Sequence, residues 1–282
     1  MGESPSPGQW ATMLDEARRL GSPIDPISES APLLDVRSAY AIQQAWVRRR
    51  VDAGAAVYGY KVGLTSKAMQ EQLGVDQPDA GRLLDDMFVQ DGRAGLDAFI
   101  QPKVEPEIAF ILAAPLRGPG VSESDVAGAV GEVCGALELI DSRIRDWRIT
   151  ITDTVADNAS SGAVVLGAMR RPLGDVDVVA ETVSLFVSGT EVSRGVGVAV
   201  MGNPLAAVAW LANLLAEQGE ELLPGQVVLP GSMTPAAAVA GPARFEARFG
   251  QLGTVAVDFV EGSSRRDPGS GAFQGEGSAP SC

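Results

Sequence analysis

Residues 103–112 read KVEPEIAFIL. The run is apolar enough for a buried strand, yet it carries Glu105 and Glu107 two positions apart. Successive strand side chains point to opposite faces, so this spacing sets both carboxylates on one face, while Val104, Ile108, Phe110 and Leu112 supply apolar surface. Two like charges in a half-buried setting repel and lose hydration, and something must compensate them. A solvated strand face is the simplest compensation. A second apolar segment, GALELID at 135–141, weighs against it, because Glu138 stands there between Leu137 and Leu139 with Asp141 following. Three carboxylates in two apolar strands suit a hard divalent cation, which accepts oxygen ligands. Three protein oxygens also leave about three octahedral positions for water or substrate, the arrangement of a catalytic rather than a structural ion.

Composition narrows the chemistry. The 282 residues are 45% hydrophobic and 21% charged, enough for one large domain or a main domain with a smaller one. The net charge of −14, with no basic stripe, argues against nucleic acid. MGESPSPGQW lacks the basic and apolar regions of a signal peptide, and no run of about 18 apolar residues is expected to span a membrane. Cys134 and Cys282 make no disulfide framework, which fits a reduced cytoplasmic setting. There is no histidine at all. That excludes His-ligated zinc, the usual Ser-His-Asp and Cys-His systems, and imidazole acid–base work. An ion bound within the chain must be oxygen-ligated: Mg²⁺, Mn²⁺ or Ca²⁺.

The spacing predicts helices over 9–20 and 37–54, separated by a Pro/Ser linker. YGYKVGLTS reads as a strand running into a short helix between Ser66 and Gly74, and VDQPDAGRL as a loop. SESDVAGAVGEV reads as a helix, ETVSLFVSG with TEVSRG as a hairpin about Gly189, and NPLAAVAWLANLLAEQG as the clearest helix. QVVLPGS, ARFEARFG and TVAVDFV read as closing strands. The order favours an α+β fold over a regular βαβα alternation. The expected organisation is a helical region at 1–57, a catalytic domain at 58–261 and a disordered Gly/Ser/Pro-rich tail at 262–282.

Two further groups carry chemistry. Lysine occurs only as Lys61, Lys67 and Lys103. Alternation puts Lys61 on one face with Gly59, Gly63 and Thr65, as a ligand-facing group in cleared space; an exposed edge lysine is the competing reading. Beside the carboxylates its ammonium would hold a substrate anion or exchange protons. Asp79 sits in QPDAG, where a turn residue needs no function. The loop TDTVADNASSG offers hydroxyls and backbone N–H groups to an anion.

Taken together, GYKVGLTSKAMQEQLGVDQPDAGRL, VEPEIAF, ALELIDSRIRDWRITITDTVADNASSG and NPLAAVAWLANLLAEQGEELLPGQVVLPGS resemble the 2-keto-4-pentenoate hydratase family of the fumarylacetoacetate hydrolase superfamily. The segments run in order from about residue 35 to residue 260. The resemblance implies a rolled, mixed β-sandwich with peripheral helices. It implies Mg²⁺ or Mn²⁺ on Glu105, Glu107 and Glu138, with Lys61 and Asp79 sharing proton transfer. Thr65, Ser66 and Ser160 are then expected to bind substrate. The implied reaction hydrates 2-hydroxypenta-2,4-dienoate or a close homologue to 4-hydroxy-2-oxopentanoate, in meta-cleavage degradation of aromatic compounds. A homo-oligomer, with association to other pathway enzymes, is the implied assembly. Ala80 departs from the Phe often found there in hydratases, which suggests a more open pocket. Rival readings are 4-oxalocrotonate decarboxylation on the same metal chelate, acylpyruvate hydrolysis (weakened by the absence of His), and a non-catalytic scaffold for a partner enzyme. The decarboxylases tend to lack an Asp at the position of Asp79.

Overall fold

The computed structural model describes residues 5–67, 70–71 and 74–262. The tail beyond Gly262, and part of the short helix expected between Ser66 and Gly74, lie outside the described residues. The elements are α1 (Pro7–Leu20), α2 (Ile27–Ser30), α3 (Val36–Asp52), β1 (Val57–Gly63), β2 (Asp79–Leu84), β3 (Arg93–Gly95), β4 (Lys103–Leu112), α4 (Glu123–Ala129), β5 (Val130–Ile140) and α5 (Ile151–Ala156). They continue with β6 (Ser161–Pro172), β7 (Thr182–Val187), β8 (Thr190–Val196), α6 (Pro204–Glu217), β9 (Val227–Leu229), β10 (Ala237–Ala238), β11 (Ala243–Phe249) and β12 (Thr254–Val260). The fold is α+β, with two open mixed sheets.

The first sheet runs β2-β1-β9-β4-β5-β6, with β10 also pairing β4; the second runs β3-β12-β11-β7-β8. Their inner faces share one core, in which Ile108, Phe110, Val133 and Leu137 of the first sheet join Phe245, Val257 and Phe259 of the second. Fully burying a Phe, Leu or Val contributes about 1.5–3 kcal/mol, so this core fixes both sheets firmly. The strand β9 separates β1 from β4 but pairs with each over only two or three residues. Beyond Leu229 the sheet has a seam, and the carboxylates lie along it. Pro106, between the two glutamates of β4, lacks an N–H where the seam has no strand to receive one; its carbonyl instead accepts from Met233 N at 3.0 Å.

The N-terminal helices are cleanly delimited. Ser6 caps α1 in a capping box with Gln9, Gly21 closes it in the left-handed conformation, and Asp35 caps α3 by accepting from Ser38 N. Their apolar stripe (Trp10, Leu14, Ile42, Trp46) packs against Leu84, Met87, Ile144, Val155 and Ala156, reaching the end of β2 and the helix α5.

Three expectations are corrected. VDQPDAGRL is not all loop, since 79–84 form the fully buried strand β2, antiparallel to β1; burial on both sides removes the alternation that marks a half-exposed strand. The helix at SESDVAGAVGEV stops at Ala129, and from Val130 the chain pairs with β4, where the β-branched Val130 and Val133 pack better than on a helix. The stretch Gly197–Glu217 is, by length and composition, apolar enough to cross a membrane. Its apolarity serves the core instead: Ala207, Val208, Leu211 and Ala212 of α6 are fully buried.

Candidate metal centre and proton-transfer pair

Glu138 of β5 stands directly opposite Glu105 in the antiparallel register, with Glu107 two residues along the same face of β4. One oxygen from each of the three carboxylates lies within 4.8 Å of the others. Glu107 and Glu138 are buried and Glu105 is half-buried. Gly231 N donates to Glu107 Oε2 at 2.8 Å. That contact needs glycine, because φ is +127° and a Cβ there would lie 2.2 Å from Thr65 Oγ1. Glu138 Oε1 and Oε2 accept no hydrogen bond although both are buried. Burial raises all three carboxyls: Glu105 above its ordinary range, Glu107 well above it with Glu138 and Glu105 adding repulsion, and Glu138 up to about 7 despite Lys61. A buried oxygen cluster short of donors is costly as protein alone and fits a hard divalent cation.

Lys61 and Asp79 face the same spot. Lys61 is 4% and Asp79 2% exposed, and the β1–β2 register sets Gly63 opposite Asp79. A Cβ on Gly63 would lie 2.2 Å from Asp79 Oδ1 and 3.3 Å from Lys61 Nζ, so the glycine keeps that space free for both groups. Lys61 Nζ donates to Ala159 O at 2.8 Å and lies 3.5 Å from Glu138 Oε2. Burial opposes its charge, but Glu138, followed by Asp79, Glu105 and Glu107, outweighs burial and holds the ammonium above its ordinary range. Burial pushes Asp79 up, opposed by Lys61 and by the hydroxyl of Thr154, which donates to Oδ2 at 2.9 Å. Asp79 Oδ1 has no hydrogen-bond partner.

The carbonyl that receives Lys61 is delivered by three successive left-handed residues, Asn158, Ala159 and Ser160, with φ between 50° and 53°. Such backbone costs roughly 1–2 kcal/mol per non-glycine residue. Side-chain and backbone bonds offset it. Asn158 accepts from Arg82 N and donates to Arg82 O, at 2.8 and 2.9 Å. Arg143, buried over Trp46, donates to Asp157 Oδ1 at 2.5 Å and to the carbonyls of Asp141 and Ser161 at 2.6 and 2.7 Å, and also bonds the Asp157 carbonyl. The turn leaves the hydroxyls of Ser160 and Ser161 buried without partners.

The structure thus gathers Glu105, Glu107, Glu138, Lys61 and Asp79, sets Thr65 behind Gly231, and places Ser160 on the turn that meets Lys61. Ser66, next to Thr65, is half-buried and its carbonyl accepts from Gln70 N. Two expectations change. Gly59 clears no space for Lys61, because its Cβ position abuts Val227 O of β9 at 2.1 Å. Ala80 pairs with Val62 on the face of β2 away from Asp79 and packs in the core, so it does not widen a pocket. Thr154, Gly231 and Arg143 were not singled out by sequence; only Gly231, in a PGS break after an apolar strand, left a local signal.

No family model matches the chain. It is 43% identical over 262 residues to a 2-keto-4-pentenoate hydratase of Burkholderia vietnamiensis, covering 93% of this chain and 100% of that one. It is 41% identical over 251 residues to a 2-hydroxyhexa-2,4-dienoate hydratase of Comamonas testosteroni, covering 88% and 95%. Among solved structures, a 4-oxalocrotonate decarboxylase of Pseudomonas putida complexed with magnesium and adipate superposes with a TM-score of 0.86 at 34% identity, over 92% of this chain and 100% of that one.

Proposed function

The chain belongs to the 2-keto-4-pentenoate hydratase family of the fumarylacetoacetate hydrolase superfamily, and we propose that it adds water to 2-hydroxypenta-2,4-dienoate or its six-carbon homologue. It is a hydro-lyase of aromatic meta-cleavage catabolism, with a divalent metal, Mg²⁺ or Mn²⁺, as cofactor and a small 2-hydroxydienoate as substrate. Glu105, Glu107 and Glu138 would hold the ion. When bound, it supplies fixed positive charge against the 2-oxo-acid end of the substrate and polarises the conjugated chain. The observation that carries the reading is the placement of Lys61 and Asp79 beside that carboxylate cluster, sharing the space above Gly63.

The roles follow from charge. Lys61, held as an ammonium, donates a proton to C5 and recovers the enol proton released from O2, giving the α,β-unsaturated 2-oxo acid. Asp79 Oδ1, free of hydrogen bonds, accepts a proton from the water whose oxygen adds at C4 and returns that proton to C3, completing 4-hydroxy-2-oxopentanoate. The hydroxyls of Ser160 and Thr65 bind the substrate's carboxylate end, with Ser66 at its edge. We place the enzyme in the cytoplasm as a homo-oligomer; Val192, Val196 and Val198, exposed along and just beyond the edge strand β8, support self-association.

A test supplies synthetic 2-hydroxypenta-2,4-dienoate with and without Mg²⁺, following loss of dienoate absorbance. Turnover that survives EDTA and Glu107→Gln alike would sink the metal assignment. The decarboxylase structure favours a second reading, loss of CO₂ from a 2-oxo-3-enedioate. Measured CO₂ release from that substrate, with the dienoate untouched, would establish it instead.

A further inference from the structure

We propose that Thr154 is a positioning residue for the hydration: by donating to Asp79 Oδ2 it fixes the carboxylate with Oδ1 turned to the space shared with Lys61. The inference rests on the reading of Asp79 as the proton acceptor. Thr154 is 4% exposed, and its hydroxyl donates to that carboxylate at 2.9 Å. A carboxylate on a single-bonded stem rotates about its χ2 torsion unless something holds one oxygen.

The placement of Thr154 is itself over-determined. Gln43, fully buried on α3, donates through Nε2 to Ala80 O and to Val155 O, both at 2.8 Å. One amide group therefore staples the backbone next to Asp79 to the backbone next to Thr154. Its Oε1 accepts from Arg82 at 2.7 Å, which fixes the amide's orientation. Asp153, the neighbour of Thr154, accepts from Ser28 N and Oγ at 2.9 and 2.6 Å and from Thr150 N and Oγ1 at 2.8 and 2.7 Å, anchoring α5 to α2. Tyr40 OH accepts from Ala80 N at 3.2 Å, a further tie from α3 to β2. The N-terminal helices thereby set the distance between Thr154 and the acid it orients.

The test compares Thr154→Val, which keeps the shape and removes the donor, with Thr154→Ser, which keeps the donor. Thr154→Val should lower kcat by roughly 10–100-fold, within the range set by misplacing a reacting group, with KM within about threefold. Thr154→Ser should restore most of kcat. Independently of turnover, the ¹³C carboxyl resonance of Asp79 in the metal-loaded protein should move in Thr154→Val and return in Thr154→Ser. Normal kcat in Thr154→Val, an unmoved resonance, or equal impairment in both variants would overturn the role of Thr154. No turnover of the dienoate by the unaltered protein would instead overturn the hydratase reading, with the resonance still deciding the contact.

Discussion

Gly63→Ala is a one-atom change aimed at the proposed proton-transfer pair, Lys61 and Asp79. The new Cβ would stand 2.2 Å from Asp79 Oδ1 and 3.3 Å from Lys61 Nζ. A carbon–oxygen contact needs about 3.3 Å, so the carboxylate must retreat by roughly 1 Å. A displacement of that size costs about 10²-fold in rate. Overpacking should cost about 1–3 kcal/mol of stability, because both neighbours are side chains that can shift. For a chain of this size that corresponds to a Tm lower by about 2–4 °C per kcal/mol. Gly59→Ala is the control on the same strand: its Cβ would meet Val227 O, a backbone atom, at 2.1 Å. It should lose more stability while its folded fraction keeps its turnover number. Dienoate turnover at saturating Mg²⁺, normalised to folded protein by thermal melts, separates the two. If folded Gly63→Ala turned over within threefold of the unaltered protein, the claim that Lys61 and Asp79 act from that space would be refuted.

Two other outcomes follow from the buried charges. Glu138→Gln should weaken Mg²⁺ binding in calorimetry by at least the roughly 10–100-fold that loss of an outer-shell partner costs, and chelation of the unaltered protein should remove about 2.7 kcal/mol of stability gained at 100 times Kd. Burial pushes Asp157 up to about 6 against the pull of Arg143. The folded chain therefore binds that proton more tightly than the unfolded one, so the contribution is fully present below the ordinary carboxylate range and is lost as pH rises through about 6. Melts at pH 4.5 and 7 should show Asp157→Asn lacking a decline of about 2 kcal/mol that the unaltered chain carries; identical slopes would refute it.

The clustered carboxylates were legible because a strand's period of two exposes a charged pair in an apolar run, and Glu138 repeated the anomaly in the strand that pairs with it. Asp79 was found through resemblance but misread structurally: Pro78 and Gly81 punctuate the sequence like a turn, whereas β2 is buried on both sides. The left-handed run Asn158–Ser160 had no local signal, since none of its residues is glycine and its support comes from Arg82 and Arg143. Thr154 was equally silent, its partner being 75 residues away. Ala80 shows the converse: a departure from a family pattern suggested a wider pocket, and strand polarity sent the side chain to the other face.

The proline between the two glutamates has a wider consequence. Continuing the pairing of β9 with β4 past Leu229 would bring Pro230 opposite Ile108 and run the next residues along Pro106. Neither proline can give a proton to such a ladder, so the two strands cannot zip shut in that direction. Sheets ordinarily guard their outer margins against unwanted pairing; here the same device works in the interior, keeping a slot open in mid-sheet. The carboxylates therefore stand on backbone that pairs continuously with β5 on one side and is met on the other only by Met233 N at Pro106 O and by the short β10 at Lys103 and Val104. The opening is written into the strand order itself.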